Sequence, residues 1–124
     1  MKVMICGSSG MVGQSLLRIF QDVGIETIVC TRAIVDLTKR EDVFQFIRRE
    51  KPNVVIDAAA KVGGIIANSS FPVKFFIENV SIQNNLMEAS NEFEVAKFIF
   101  LGSSCIYPRM SEQPMKEEIG RAHV

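Results

Sequence analysis

The stretch KVMICGSSGMVG, Lys2 to Gly13, decides the fold. KVMIC is a short apolar run that ends at a glycine, which reads as a buried strand. GSSGMVG follows with Gly7, Gly10 and Gly13 in GxxGxxG spacing. From Met11 to about Asp22 the apolar residues Val12, Leu16, Leu17, Ile19 and Phe20 recur at helical spacing. A glycine triplet between a strand and a helix has a physical use. Gly7 permits the tight turn, Gly10 lets a pyrophosphate reach the backbone, and Gly13 lets helix and strand pack closely. The helix start then offers free amides and partial positive charge to phosphate. The plain alternative is a tight turn with no ligand. The strand-turn-helix setting favours a nucleotide, and Ser8, Ser9, Met11 and Val12 within the loop are then cofactor-facing candidates.

Outward from this unit, the pattern repeats. Ile25–Cys30 reads as a second strand. Thr38–Glu41, TKRE, has the form of a capping box for a helix that carries Val43, Phe44 and Ile47 inward. Val54–Ala60 reads as a third strand. Pro72 suits the first turn of a long helix to about Asn91, with an inner stripe of Phe76, Val80 and Met87 and a neighbouring row of Phe75, Ile82 and Leu86. Lys97–Gly102 reads as a fourth strand. Strands that are apolar on both faces and alternate with helices imply a parallel sheet covered on both sides. The expectation is an α/β, Rossmann-type doubly wound sheet, partial, of about four strands in the order 3-2-1-4. Ligands in such sheets lie at the carboxyl ends of the strands, where the loops after Cys6, Ala60 and Gly102 meet.

Composition narrows the function. The chain has 124 residues, 48% of them apolar, enough for one globular domain with a core. Acidic and basic residues balance at 14 each, so nothing favours nucleic acid or an anionic membrane as partner. The apolar runs are too short to span a bilayer. Cys6, Cys30 and Cys105 form no CxxC pair, which argues for a reducing compartment, the cytoplasm. His123 is the one histidine, which counts against a metal cluster or a Ser-His-Asp triad.

The end of the second strand bears on the cofactor. An NAD site usually places an acid there for the ribose 2′-hydroxyl. Here the chain reads CTR, and the Arg32 guanidinium matches a 2′-phosphate, so NADP is expected; a solvated surface charge is the other reading. Asp36, followed by Leu37, has two readings: an adenine contact, or a turn at the helix entry.

Two further stretches, AAAKVGGI (Ala58–Ile65) and GSSCIYP (Gly102–Pro108), join GSSGMVG and the helix FPVKFFIENVSIQNNLMEAS. Together they resemble the extended short-chain dehydrogenase/reductases and, within them, the GDP-L-fucose synthase family, over residues 1 to about 117 and only the N-terminal part of the family's length. The resemblance implies NADPH-dependent epimerisation and reduction of GDP-4-keto-6-deoxymannose in nucleotide-sugar biosynthesis. It implies that Ser103 bonds the substrate carbonyl and that Cys105 is one of the epimerising acid/base pair. Protons beside a carbonyl are acidic enough for side-chain exchange, and a thiol near its free pKa of about 8.5 can shuttle one. It further implies that Leu101, Gly102 and Ser104 line the nicotinamide side, with Ala59 and Lys61 near cofactor and sugar. From the residues alone, Cys105 is a small apolar filler, Ser103 satisfies a strand-end amide, and Lys61 is a surface lysine.

The chain departs from the family at the proton donor. Such reductases use Tyr-x-x-x-Lys. Tyr107 is the one tyrosine, Ser111 stands four residues on, and Pro108 disfavours a helix. The expectation is therefore a 1–124 NADP-binding domain without the family's C-terminal half and substrate domain, inactive alone. The alternative is a non-catalytic nucleotide-binding or interaction fragment that pairs with full-length subunits. The family's homodimers make a homodimer the other expected partner state. An unpaired fourth strand with apolar surface would favour marginal stability or self-association.

Overall fold

A computed structural model describes residues 1–60, 69–102, 107 and 109–116. Its strands are β1 (Lys2–Cys6), β2 (Glu26–Cys30), β3 (Val54–Asp57) and β4 (Lys97–Phe100), and its helices are α1 (Met11–Asp22), α2 (Arg40–Glu50) and α3 (Pro72–Glu92). The four strands form one parallel sheet. The α/β class and the doubly wound parallel sheet are as the sequence indicates.

The expected order 3-2-1-4 is not observed. The strands run β2-β1-β3-β4. An order with the third strand outside the second needs the crossover through α2 to keep travelling outward; here α2 packs back over β1. Residues 31–39 lead into α2 through turns. The Asp36 Oδ1 accepts the Thr38 amide at 3.0 Å and the Thr38 hydroxyl at 2.6 Å, an Asx turn that redirects the backbone. After α2, β3 pairs with β1 on the side away from β2.

This reversal sets the layers. Right-handed crossovers that travel in opposite directions place their helices on opposite faces. On one face, Leu16, Leu17 and Phe20 of α1 pack on Val3, Ile5 and Ile56. On the other, Val43, Phe46 and Ile47 of α2 and Ile82, Leu86 and Ala89 of α3 pack on Met4, Cys6 and Val55. Asn53 ties the amino ends of three strands. Its side chain accepts the Lys2 amide, its own amide donates to the Lys2 carbonyl, and its carbonyl accepts the Lys97 amide.

Three local expectations change. The Thr38 hydroxyl is spent on Asp36, and Lys39, the residue before α2, gives the helix no side-chain cap. On α1, Val12 and Ile19 are exposed. On α3 the buried line is Ile82, Asn85, Leu86, Ala89 and Ser90, whereas Phe76 and Met87 face solvent. The Asn85 amide belongs to that buried line. It donates to the Leu37 carbonyl at 3.0 Å and so ties the 82–89 line to the 31–39 turn, while Ile82, Leu86 and Ala89 pack on the sheet.

Candidate functional site

The carboxyl ends of β1, β2 and β3 open into one cavity of about 1120 Å³. That is at the upper end of small-molecule sites, which run to about 1,000 Å³. The phosphate turn supplies Gly7, Ser9, Gly10, Met11 and Val12; the β2 exit supplies Thr31, Arg32, Asp36, Leu37 and Thr38; the β3 exit supplies Ala58, Ala59 and Ala60; α3 supplies Glu78 and Ile82.

The turn has the form the glycine spacing requires. Gly7 sits at φ 76°, where a side chain is strained, and a Cβ there would lie 2.6 Å from the Ala58 carbonyl oxygen. Gly13 is buried, and a Cβ on it would strike the Gly7 carbonyl. Gly10 is different. A Cβ there would meet only the Gly7 oxygen, at 3.3 Å, so the protein itself leaves that side open. Gly10 is also the N-cap of α1, with no side-chain cap and no acid in the first turn. The first amides of α1 are thus left for an anion. The Gln14 side chain donates to the Ser9 carbonyl at 2.8 Å and braces the turn from behind.

Ser8 is the exception among the loop candidates. It is buried, and its hydroxyl donates to the Cys30 carbonyl at 3.3 Å, away from the cavity. It fastens the turn to β2, together with the Gly7 and Ser8 amides, which donate to the same oxygen. Arg32, two residues past the end of β2, lines the cavity. Asp36 lines it too, but the Thr38 hydroxyl and amide hold its carboxyl below the usual range, with smaller help from Lys39 and Arg32. Its turn role is therefore present in the fold. Leu101 and Gly102 follow β4 and do not line the cavity; the Leu101 amide donates to the Asp57 carbonyl at 3.4 Å. Lys61, Ser103, Ser104 and Cys105 lie outside the described residues.

Sequence reasoning missed Asp57. It ends β3, is 3% exposed, and its Oδ1 accepts the Ala59 amide at 3.1 Å. Burial pushes its carboxyl up to about 6, with the Ala59 amide pulling the other way. The signal was an acid closing the otherwise apolar run VVID. Glu78 and Ile82 were also missed as cavity residues; their i, i+4 spacing on α3 was the available clue. Beneath the turn, Cys6 and Cys30 are free, buried and in register on adjacent strands. The Cys6 thiol is pushed well up by its hydrogen bond with Cys30, by burial and by the nearby charges of Cys30 and Asp57.

The residues present fit a dinucleotide: a cradle that Cβ atoms would fill, an uncapped helix start, and a cation at the β2 end. Comparison with known proteins agrees. The sequence profile of the NAD dependent epimerase/dehydratase family matches residues 3–124. The GDP-L-fucose synthase of Sinorhizobium fredii is 44% identical over 117 residues, covering 94% of this chain and 37% of that protein. Among solved structures, a GDP-D-glycero-L-gluco-heptose synthase from Campylobacter jejuni in the presence of NADPH superposes with a TM-score of 0.88 at 34% identity, over 95% of this chain and 35% of that one. A GDP-L-fucose synthetase from Naegleria fowleri bound to NADP gives 0.84 at 27% identity, over 98% and 36%. The chain thus spans little more than a third of the length of the relatives it matches.

Proposed function

The chain belongs to the NAD dependent epimerase/dehydratase family, and from that premise we propose that it is the dinucleotide-binding part of an NADPH-dependent enzyme acting on a GDP-linked sugar. The observation that carries this is the cavity in which the phosphate turn, the α1 amides and Arg32 converge. The α1 amides take the pyrophosphate. Arg32 takes the 2′-phosphate and so favours NADP over NAD. Ala58–Ala60 line it on the β3 side and Ile82 supplies an apolar surface on the α3 side. The bound nicotinamide supplies hydride to a carbonyl.

Within the GDP-sugar class, KVGGI and GSSCIYP favour GDP-4-keto-6-deoxymannose as substrate and GDP-L-fucose synthesis as the pathway. Ser103 donates its hydroxyl hydrogen bond to the sugar carbonyl oxygen, which makes the neighbouring carbon more acidic. Cys105 exchanges the proton on that carbon. Leu101 and Gly102, although outside the cavity lining, and Ser104 after them in the chain are assigned to the nicotinamide side on the resemblance alone, and Lys61 to the cofactor and sugar. No Tyr-x-x-x-Lys pair occurs within these 124 residues, so reduction needs a proton donor that they do not contain. The reduced thiols of Cys6 and Cys30 suit the cytoplasm. A second reading, a nucleotide-binding partner for longer subunits or for a second copy, is favoured by the apolar residues Phe71, Val73, Phe76 and Ile77 exposed at the start of α3.

The test is titration of the chain with NADPH, followed by nicotinamide fluorescence, with NADH in parallel. Saturable binding is expected, tighter for NADPH. Arg32→Ala should weaken NADPH by about tenfold or more and leave NADH nearly unchanged, the loss of one charge-assisted pair. Equal affinity for both nucleotides in the unsubstituted chain would refute the role of Arg32. No binding of either would refute the site.

A further inference from the structure

A buried strand has no need of a carboxyl, yet β3 ends in one. Asp57 stands in register with Cys6 on β1, whose own partner on β2 is Cys30. Residues in register on parallel strands point to the same face, here the face covered by α2 and α3. Each of the three is the last residue before a loop that forms the cavity. The bond from the Ala59 amide to Asp57 Oδ1 is an Asx turn, and it bends the chain as it leaves β3. The bent segment, Ala58–Ala60, is the cavity floor. It also passes so close to Gly7 that no Cβ fits between them. The phosphate turn and the β3 exit rest on each other, and Asp57 shapes the second.

The geometry points to Asp57 as a positioning residue for the dinucleotide: its side chain fixes how the β3 exit meets the phosphate turn, and its charge acts on the phosphates bound above. This rests on the reading of the cavity as a dinucleotide site. The two roles separate. The Asx turn needs only an acceptor oxygen. A negative charge sealed below a pyrophosphate opposes binding, because a buried charge is poorly screened. Burial holds the Asp57 carboxyl near about 6, so its charge changes in an accessible range. Among the described residues, the other titratable or charged groups around it are Cys6 on β1, Cys30 beyond it on β2, Glu78 on α3 at the cavity wall, and Arg32 and Asp36 across the cavity. β4 brings Phe100 and Leu101, which do not titrate. Cys6, pushed well above its ordinary value, stays neutral throughout.

The experiment measures Kd for NADH and NADPH at about pH 5.5 and about pH 7.5, on either side of the Asp57 transition. It compares the chain with its Asp57→Asn and Asp57→Ala forms. NADH matters because it has no 2′-phosphate to titrate. For the unsubstituted chain, NADH binding should weaken by about fivefold from the lower to the higher pH, the size of one partly screened charge. Asp57→Asn keeps the acceptor and loses the charge. It should bind with no such pH dependence, and at the higher pH more tightly than the parent. Asp57→Ala should bind about tenfold more weakly than Asp57→Asn at both pH values, the loss of one buried hydrogen bond. Parallel pH profiles for the parent and Asp57→Asn would overturn the proposal. So would equal affinities for the Ala and Asn forms. An unsubstituted chain that binds neither nucleotide would instead overturn the reading of the cavity itself.

Discussion

Asp57 binds a proton more readily in the folded chain than in the unfolded one, because burial raises its value from 3.8 to about 6. The folded state therefore gains stability from this group at low pH. That gain fades as pH rises from about 4 to about 6, and above that range the buried charge is a constant cost. Asp57→Asn removes the cost and keeps the acceptor for the Ala59 amide. Its Tm should exceed that of the parent by roughly 3–6 °C at pH 7.5, the shift given by about 1 kcal/mol in a domain of this size. Near pH 4 the two melts should coincide, and a gap that persists there would show that the charge is not the cause. At this scale the sequence was unevenly legible. Gly7 and Gly13 are readable from spacing alone, because a strand followed at once by a helix leaves no room for a Cβ at either place. Ser8 was not readable. Its neighbour Ser9 lines the cavity while Ser8 turns inward, and that difference is set by the Cys30 carbonyl on another strand.

Helix α3 shows why an apolar stripe does not identify its buried face. It has apolar residues on more than one side, so periodicity offers two rows, and the sequence contains no local reason to choose. The choice is made by contacts with distant segments. Leu86 is fully buried against the sheet, whereas Phe76 is 68% exposed. Leu86→Ala should cost about 2–5 kcal/mol of unfolding free energy, as core truncations do. Phe76→Ala should stay within roughly 0.5 kcal/mol. Denaturant titration of both variants distinguishes the two rows, and equal losses would contradict the observed rotation. The same dependence on distant partners explains the capping-box error. TKRE has the correct residue types, but Asp36 lies two residues upstream and takes the Thr38 hydroxyl first.

On the scale of the whole molecule, strand number, strand direction and the edge that carries the cavity were legible, and strand order was not. Order depends on which way the chain crosses after β2, and that is set by α2 packing back over Met4 and Cys6 of β1, a contact between segments far apart in sequence. Among the described residues β4 pairs only with β3, and Phe100 at its end and Leu101 after it are exposed, as are Phe71, Val73, Phe76 and Ile77 at the start of α3. An open strand edge together with apolar surface favours association. Sedimentation at micromolar concentration should show species larger than one chain, growing with concentration; a monomer at every concentration would argue that these surfaces are inert. The reversal between β1 and β3 also means that the cavity is walled by segments from both arms of the sheet: the phosphate turn and β2 exit on one side, the β3 exit and α3 on the other. A ligand long enough to span it touches both arms at once and has no equivalent site in the unfolded chain. It therefore acts as a removable crosslink, adding about 2.7 kcal/mol at a concentration one hundred times its Kd.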